Sequence, residues 1–326
     1  MLWMTLIALA AVPPSGLLFG SRYLVADGDG TVRAWSVKDL QPDAAFTKKL
    51  NGDGLLGIAS GDDGMLWGFD GTRAFTWDGV SERWDLVPSK PPPKPCTHFA
   101  VVANAPVGLC GPGVHRFTDG RYFEGPEFKD QVSGRGFGDH PHLAAHGSTL
   151  AIGTGFGEWG GHLWLLDVGA GSWRKHYDAL GNAVGLAWTG SAWAVAWSMS
   201  HMMATTRARL HDSGAKPTVQ GKDLRDRYLR ALAWDDEAKA LFGLEQNELV
   251  RFDGALGFKK VQSIAPVKYG PERDAVGVSS GIAAFVAVGR GQFLVVPESG
   301  EPLVVGGGKS ERLRMPAVER RDAGAR

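Results

Sequence analysis

Apolar segments of one design recur along the chain about every 40 residues, and few stretches carry a helical period. Glycine and tryptophan are abundant, at 46 and 12 of 326 residues. These observations predict an all-β fold, a seven-bladed (or six-bladed) β-propeller of four-stranded antiparallel blades, in which short strands are joined by tight turns. Each copy reads apolar strand, turn, second apolar strand, then an aromatic-rich strand closing on Asp-Gly or a similar turn. Copies start near Gly54, His98, His142, Ala183, Leu229 and Ala275, and a block from Arg22 makes another.

Side-chain alternation supports the same fold. In the stretch 192–197, Trp193, Val195 and Trp197 project to one face of a strand, and Ala192, Ala194 and Ala196 to the other. A strand apolar on both faces, one bulky and one small, suits a sheet stacked between two neighbours. Residues 222–230 offer at most a turn or two of helix, too little for the crossover of an α/β fold. The first block shows three strands, YLVAD, TVRAWSV and AFTKKL, matching the last three places of later blades. Its missing strand is expected from residues 5–12 or from 312–318, since strands from both ends would close the ring without an exposed edge. Residues 1–16 therefore read as a signal peptide or first strand, 17–308 as a single propeller domain, and 309–326 as a charged tail or ring-closing strand.

Lys plus Arg and Asp plus Glu are equal at 35 each, which leaves no basic footprint for nucleic acid or an acidic membrane. With 44% hydrophobic and 21% charged residues, the chain can bury a large core without help from a metal or disulfide. The opening MLWMTLIALAAV is uncharged, ends near a small-residue Ala8-Leu9-Ala10 pattern, lacks an opening Lys or Arg, and is too short to span a bilayer. It reads as an export signal or as a buried strand; export to the periplasm or outside the cell is favoured over the cytoplasm. No transmembrane segment and no cofactor are expected, and the chain is read as a monomer. Cys96 and Cys110 flank a strand, turn, strand whose fold near Asn104 sets the sulfurs opposite or nearly opposite each other. A disulfide, in keeping with export, and two unpaired apolar thiols both fit.

Several repeats carry a shared phrase: Gly64-Met65-Leu66-Trp67 with Phe75-Thr76-Trp77-Asp78-Gly79, Gly161-His162-Leu163-Trp164-Leu165-Leu166-Asp167, Arg116-Phe117-Thr118-Asp119-Gly120 and Arg251-Phe252-Asp253-Gly254. They resemble the repeats of extracytoplasmic sensor propellers in bacterial two-component regulators, over most of the chain, although kelch-like and other propellers share such strands. The resemblance implies an exported propeller that recognises a ligand or protein. A sensor role does not carry over, because no transmembrane helix or kinase follows.

The densest histidine group is Asp139-His140-Pro141-His142, with His146 nearby. His140 and His142 project to one side of an extended chain, as two metal ligands do, and they lead into an innermost strand where a propeller opens onto its channel. Glu158 or His162 from the next hairpin would complete such a site; a hydrogen-bonded or solvated loop is the other reading. Met199, His201, Met202 and Met203 suit Cu(I), or fill an irregular hairpin with adaptable side chains.

Three motif matches fail on context. Gly155-Phe156-Gly157-Glu158-Trp159-Gly160 runs into a strand where a dinucleotide site needs a helix. Gly277-Val278-Ser279-Ser280-Gly281 likewise runs into a strand instead of a nucleophile elbow. Asp27-Gly28-Asp29-Gly30 begins like a calcium loop but has Lys38 where the bidentate Glu belongs.

The expected function is non-catalytic recognition of a protein or extended ligand through loops around 134–142, 155–162 and 198–204. Candidate contacts there are His140, His142, His146, Trp159, His162 and His201. Two alternatives stay open. One is a metal-dependent propeller lyase or hydrolase with His140 and His142 near the channel; the other is a cytosolic scaffold or toxin-neutralising propeller. The side chains that line the central channel separate them best.

Overall fold

A computed structural model describes residues 12–126, 137, 141–155, 161–179, 181–199, 205–212, 223–225, 229–252, 258–267 and 281–314. Its strands form seven antiparallel sheets in chain order, the first of three strands and the other six of four. The innermost strands are Ser15–Phe19, Gly57–Ser60, Cys96–Val102, His142–His146, Asn182–Trp188, Leu229–Asp235 and Ile282–Gly289. Each packs on the next, and the last returns to the first, so the sheets close the ring of a β-propeller.

The alternation seen in the sequence is what stacks these sheets. Trp193, Val195 and Trp197 pack with Ala151, Leu163 and Leu165 of the preceding sheet, while Ala194 and Ala196 meet Leu232, Leu241 and Val250 of the following one. Burying one large apolar side chain is worth roughly 1.5–3 kcal/mol. The core is therefore a series of layers between sheets, not a single centre. Near the axis the innermost strands approach most closely where one of them carries a glycine. A Cβ on Gly185 would stand 2.5 Å from the backbone N of Leu232.

The first sheet corrects two expectations. Its innermost strand is Ser15–Phe19, supplied neither by residues 5–12 nor by the C-terminal end. Of those two stretches, residues 5–11 and 315–318 lie outside the described residues. The fourth place, where AFTKKL was expected as a strand, holds the helix Ala44–Leu50. Phe46 and Leu50, one helical turn apart, are buried against the sheet, and the Asp43 side chain caps the helix by accepting from Phe46 N at 2.9 Å. The helix also satisfies the edge of the strand Val32–Ser36. Asn51 Oδ1 accepts from Val32 N at 2.8 Å and Asn51 Nδ2 donates to Val32 O at 2.7 Å. Thr47 Oγ1 accepts from Ala34 N at 3.0 Å, and Asp43 N donates to Ala34 O at 2.8 Å. An edge that would template another strand is thus blunted by side chains.

A third correction falls on residues 222–230, where the structure has the strand Asp223–Arg225 in place of a helical turn. At the other end of the chain, Lys309–Arg312 is the fourth strand of the last sheet. Just beyond it, Leu313 is fully buried among Tyr23, Val25 and Trp35 of the first sheet and Leu294 and Val304 of the last. Trp35 Nε1 donates to Arg314 O at 2.9 Å. No described helix is long and apolar enough to cross a membrane.

Candidate functional site at the channel mouth

Four strands in an up-and-down meander return the chain to the end at which it started, and in the first sheet the helix makes the fourth pass. Every innermost strand therefore begins at the same end of the ring. A cavity of about 380 Å³ runs into the axis and is lined from all seven sheets. Its walls are apolar, with Leu17, Ile58, Phe99, Leu143, Leu232 and Phe285, and its polar points are Ser15, Ser60, Thr97, His98 and His142. Among the described residues, no Asp, Glu, Lys or Arg lines it.

The two imidazoles reach the cavity from neighbouring sheets. His142 opens its strand, opposite Gly153. His98 lies near the start of the preceding innermost strand, with Thr97 Oγ1 3.0 Å from its Nδ1. That strand is held to its neighbour by a disulfide between Cys96 and Cys110, which face each other in register (S–S 1.97 Å). The hairpin turns at Ala103 and Asn104, both with positive φ, at 49° and 59°, as a two-residue type I′ connection demands.

Of the candidate contacts, the three that the structure describes, His142, His146 and His162, do not form one cluster. His146 is four residues beyond His142 on the same strand, which puts it roughly 13 Å away at the far end of the ring. There it is exposed, and its ring stacks on Trp188 at 4.3 Å. His162 stands at the channel-mouth end but two strands outward, roughly 10 Å from the axis strand. Its backbone N donates to Thr154 Oγ1 at 2.9 Å, and its ring meets Trp164 edge-on at 5.9 Å. His140, Trp159 and His201, with Asp139, Glu158, Met202 and Met203, lie outside the described residues. The described flanks of the three expected loops, at 141, 155 and 161, and 199 and 205, all stand at the channel-mouth end. Among the described residues no three His, Cys, Asp or Glu gather as metal ligands.

His98 is the channel residue that sequence reading passed over. A signal for it existed, because the repeat copies that begin at His98 and His142 place the two histidines at equivalent positions.

The described surroundings of the three rejected motifs agree with the sequence reading. Strands Gly161–Asp167 and Ile282–Gly289 follow the two glycine-rich runs. In Asp27-Gly28-Asp29-Gly30, the Asp27 carboxylate pairs with Arg33 and accepts from Thr31 N at 3.1 Å. Burial, reinforced by its hydrogen bond with Asp29, lifts the Asp27 carboxyl to about 6. The same shared hydrogen bond holds Asp29 below the usual carboxylate range.

No protein-family model matches the chain, and no curated protein matches its sequence. Solved structures match it in fold. It is similar to a catalytically inactive histidine-to-alanine variant of virginiamycin B lyase from Staphylococcus aureus with quinupristin, at 10% identity over 90% of this chain and 94% of that one, with a TM-score of 0.57. It is also similar to the β-propeller domain of the Trilobed protease from Pyrococcus furiosus, which has an open velcro topology (10% identity, 92% and 97% covered, TM-score 0.54). A third is KlAtg21 in complex with the coiled coil of AgAtg16 (9% identity, 94% and 98% covered, TM-score 0.54). At such identities the likeness shows the fold alone: the chain is a β-propeller.

Proposed function

We propose that the protein is an exported, non-catalytic recognition propeller that takes a protein or extended ligand on the channel-mouth face. The observation that carries this reading is the composition of the channel: an apolar wall contributed by every sheet, with a few hydroxyls and two imidazoles as polar points. Such a lining suits an apolar group held by one or two directed hydrogen bonds. The Cys96–Cys110 bond supports export, since such bonds persist in oxidising compartments. Among proteins of the same fold, the KlAtg21 structure is a complex with a coiled coil.

A second reading is favoured by His98 and His142 together: a lyase or hydrolase that uses imidazole at the channel mouth, with or without a metal. The lyase of similar fold was rendered inactive by loss of one histidine. Chelation separates the metal-dependent form of this reading from the first. A metal held by the native state stabilises it according to occupancy. Treatment with EDTA is expected to leave the melting temperature of the wild type and of the His98→Ala/His142→Ala variant unchanged, and elemental analysis to find no stoichiometric transition metal. A bound metal, with a melting temperature that drops on chelation in the wild type alone, would replace the binding protein with a metal-dependent enzyme.

A further inference from the structure

The chain crosses from the outermost strand of the second sheet, Arg83–Leu86, to the innermost strand of the third, Cys96–Val102, through the sequence VPSKPPPKP, residues 87–95. A proline fixes its own φ at about −65° and holds the residue before it extended. Within residues 88–93 only Ser89 escapes both constraints, so the sequence imposes a polyproline II helix, which has about three residues per turn. Burial repeats with that period. Ser89 and Pro92 are half-buried, whereas Pro88 and Pro91 on one edge, and Lys90 and Pro93 on the next, are exposed. One edge of the helix thus faces the ring and two face solvent.

The third sheet holds this segment in place. The Lys90 carbonyl oxygen lies 3.1 Å from Nε2 of His115, and a Cβ on Gly120 would stand 2.9 Å from Lys90 Cβ. The chain then bends at Pro93 and Lys94, and the Lys94 stem lies over Gly111, where a Cβ would stand 2.8 Å from its Cδ. Among the described residues neither Lys90 nor Lys94 is in an ion pair. Residues 91–93 carry no N–H, so the segment cannot accept another strand through a ladder. What it presents is proline rings, carbonyl oxygens and two cations.

We propose that residues 87–94 are a docking segment, read by a partner protein through an aromatic-lined groove bordered by carboxylates. Aromatic rings of the partner pack on the edge Pro88–Pro91 and against Pro93, and its carboxylates meet Lys90 and Lys94. Aromatic-lined grooves are the surfaces that read polyproline II segments, and a helix already fixed in that form loses little conformational freedom on binding. The unpaired lysines select a groove of negative charge over a neutral one. None of these residues lines the channel, so the proposal stands even if the channel takes nothing.

The full chain is titrated by calorimetry with an SH3 domain whose aromatic groove is bordered by Asp and Glu, and with the same domain after those carboxylates are changed to amides. Saturable binding is expected, weaker for the amide form by about threefold or more. Pro88→Ala/Pro91→Ala should weaken binding by about tenfold or more, and Lys90→Gln/Lys94→Gln by about as much as the amide form of the domain. Lys38→Gln/Lys48→Gln removes the same charge from exposed positions elsewhere and should leave binding unchanged. Acetylation of the wild type, read by mass spectrometry, is expected to show Lys90 and Lys94 shielded by the bound domain and Lys38 not. That measurement uses no variant, so it keeps the test open even where the proline substitutions unsettle the connection. The absence of saturable binding, equal binding by the amide form, unchanged affinity in both double variants of the segment, or unshielded Lys90 and Lys94 overturns the proposal.

Discussion

His115 is fully buried; its Nε2 is 3.1 Å from the Lys90 carbonyl oxygen, and its Nδ1 has no hydrogen-bond partner. With Nε2 donating, the neutral ring is served at one nitrogen, whereas the protonated ring would bury a second N–H with no acceptor. Burial accordingly pushes this imidazole below its ordinary 6.5. The stability it contributes is present above 6.5 and is lost as pH falls through the folded-state value, because the unfolded chain takes the proton first. Asp27 works in the opposite sense. Its carboxyl is raised from 3.8 to about 6, so its contribution is present below 3.8 and is lost as pH rises through about 6. In urea unfolding at about pH 7.5 and about pH 5, His115→Gln should therefore shrink the loss of stability on acidification, and Asp27→Asn should enlarge it. Gln retains a donor near the Nε2 position without titrating, and the pH difference within each variant is the quantity read. Shifts in the same direction for both variants would contradict the assignment. Neither effect is legible in the sequence. His115 sits in the short strand Gly113–Arg116, and the carbonyl that its ring meets, that of Lys90, is brought across from 25 residues away. His98 and the Cys96–Cys110 register differ in this respect, because repeat position and hairpin geometry are local and the chain alone displays them.

At the scale of elements, the helix Ala44–Leu50 shows how a short apolar run hides its type. Phe46 and Leu50 fit the two-residue period of a strand as well as the four-residue step of a helix. The deciding signals were the cap Asp43 before the run and Lys48 and Lys49 in its last turn. The helix could not have been placed against Val32–Ser36 from sequence, since that contact depends on Asn51 and Thr47 reaching backbone groups 19 and 13 residues away. Asn51→Ala removes the acceptor for Val32 N and the donor to the Val32 and Thr47 carbonyls. Leaving such groups unsatisfied costs about 1–3 kcal/mol each where they are dry. Thr47→Val removes only the acceptor for Ala34 N and should cost about 1 kcal/mol. Chemical denaturation is expected to rank Asn51→Ala as the more damaging. Asn51→Ala should also raise the tendency to associate, seen as concentration-dependent light scattering, because it uncovers a strand edge. Equal and small effects from both substitutions would mean that the edge is kept closed by packing alone.

The ring itself was the most legible feature, because every copy needs neighbours on both faces and the bulky and small faces of strands such as 192–197 record that need. Less legible was how the ring is closed. Among the described residues the first sheet contains no strand from the C-terminal end, so the seam between first and last sheets is held by side-chain packing and the passage of the chain over it. The packing is close: a Cβ on Gly16 would stand 2.7 Å from Val296 across the seam. Leu313 then closes the outer part of the contact, and Trp35 ties down the residue after it through Arg314 O. Leu313→Ala should cost about 2–5 kcal/mol, the range for a large-to-small change at a dry site. Leu150→Ala, also fully buried but between the third and fourth sheets, should cost a similar amount. The two are expected to differ in where the molecule opens. If the seam is the weakest joint of the ring, Leu313→Ala will speed hydrogen exchange first in Arg22–Ala26, Val32–Ser36 and Leu303–Gly306, with the middle sheets protected until global unfolding. Leu150→Ala has covalent connections on both sides of its cavity, and it should raise exchange evenly across the ring. The same exchange pattern in both variants would show that the ring opens as one unit, with no preferred seam.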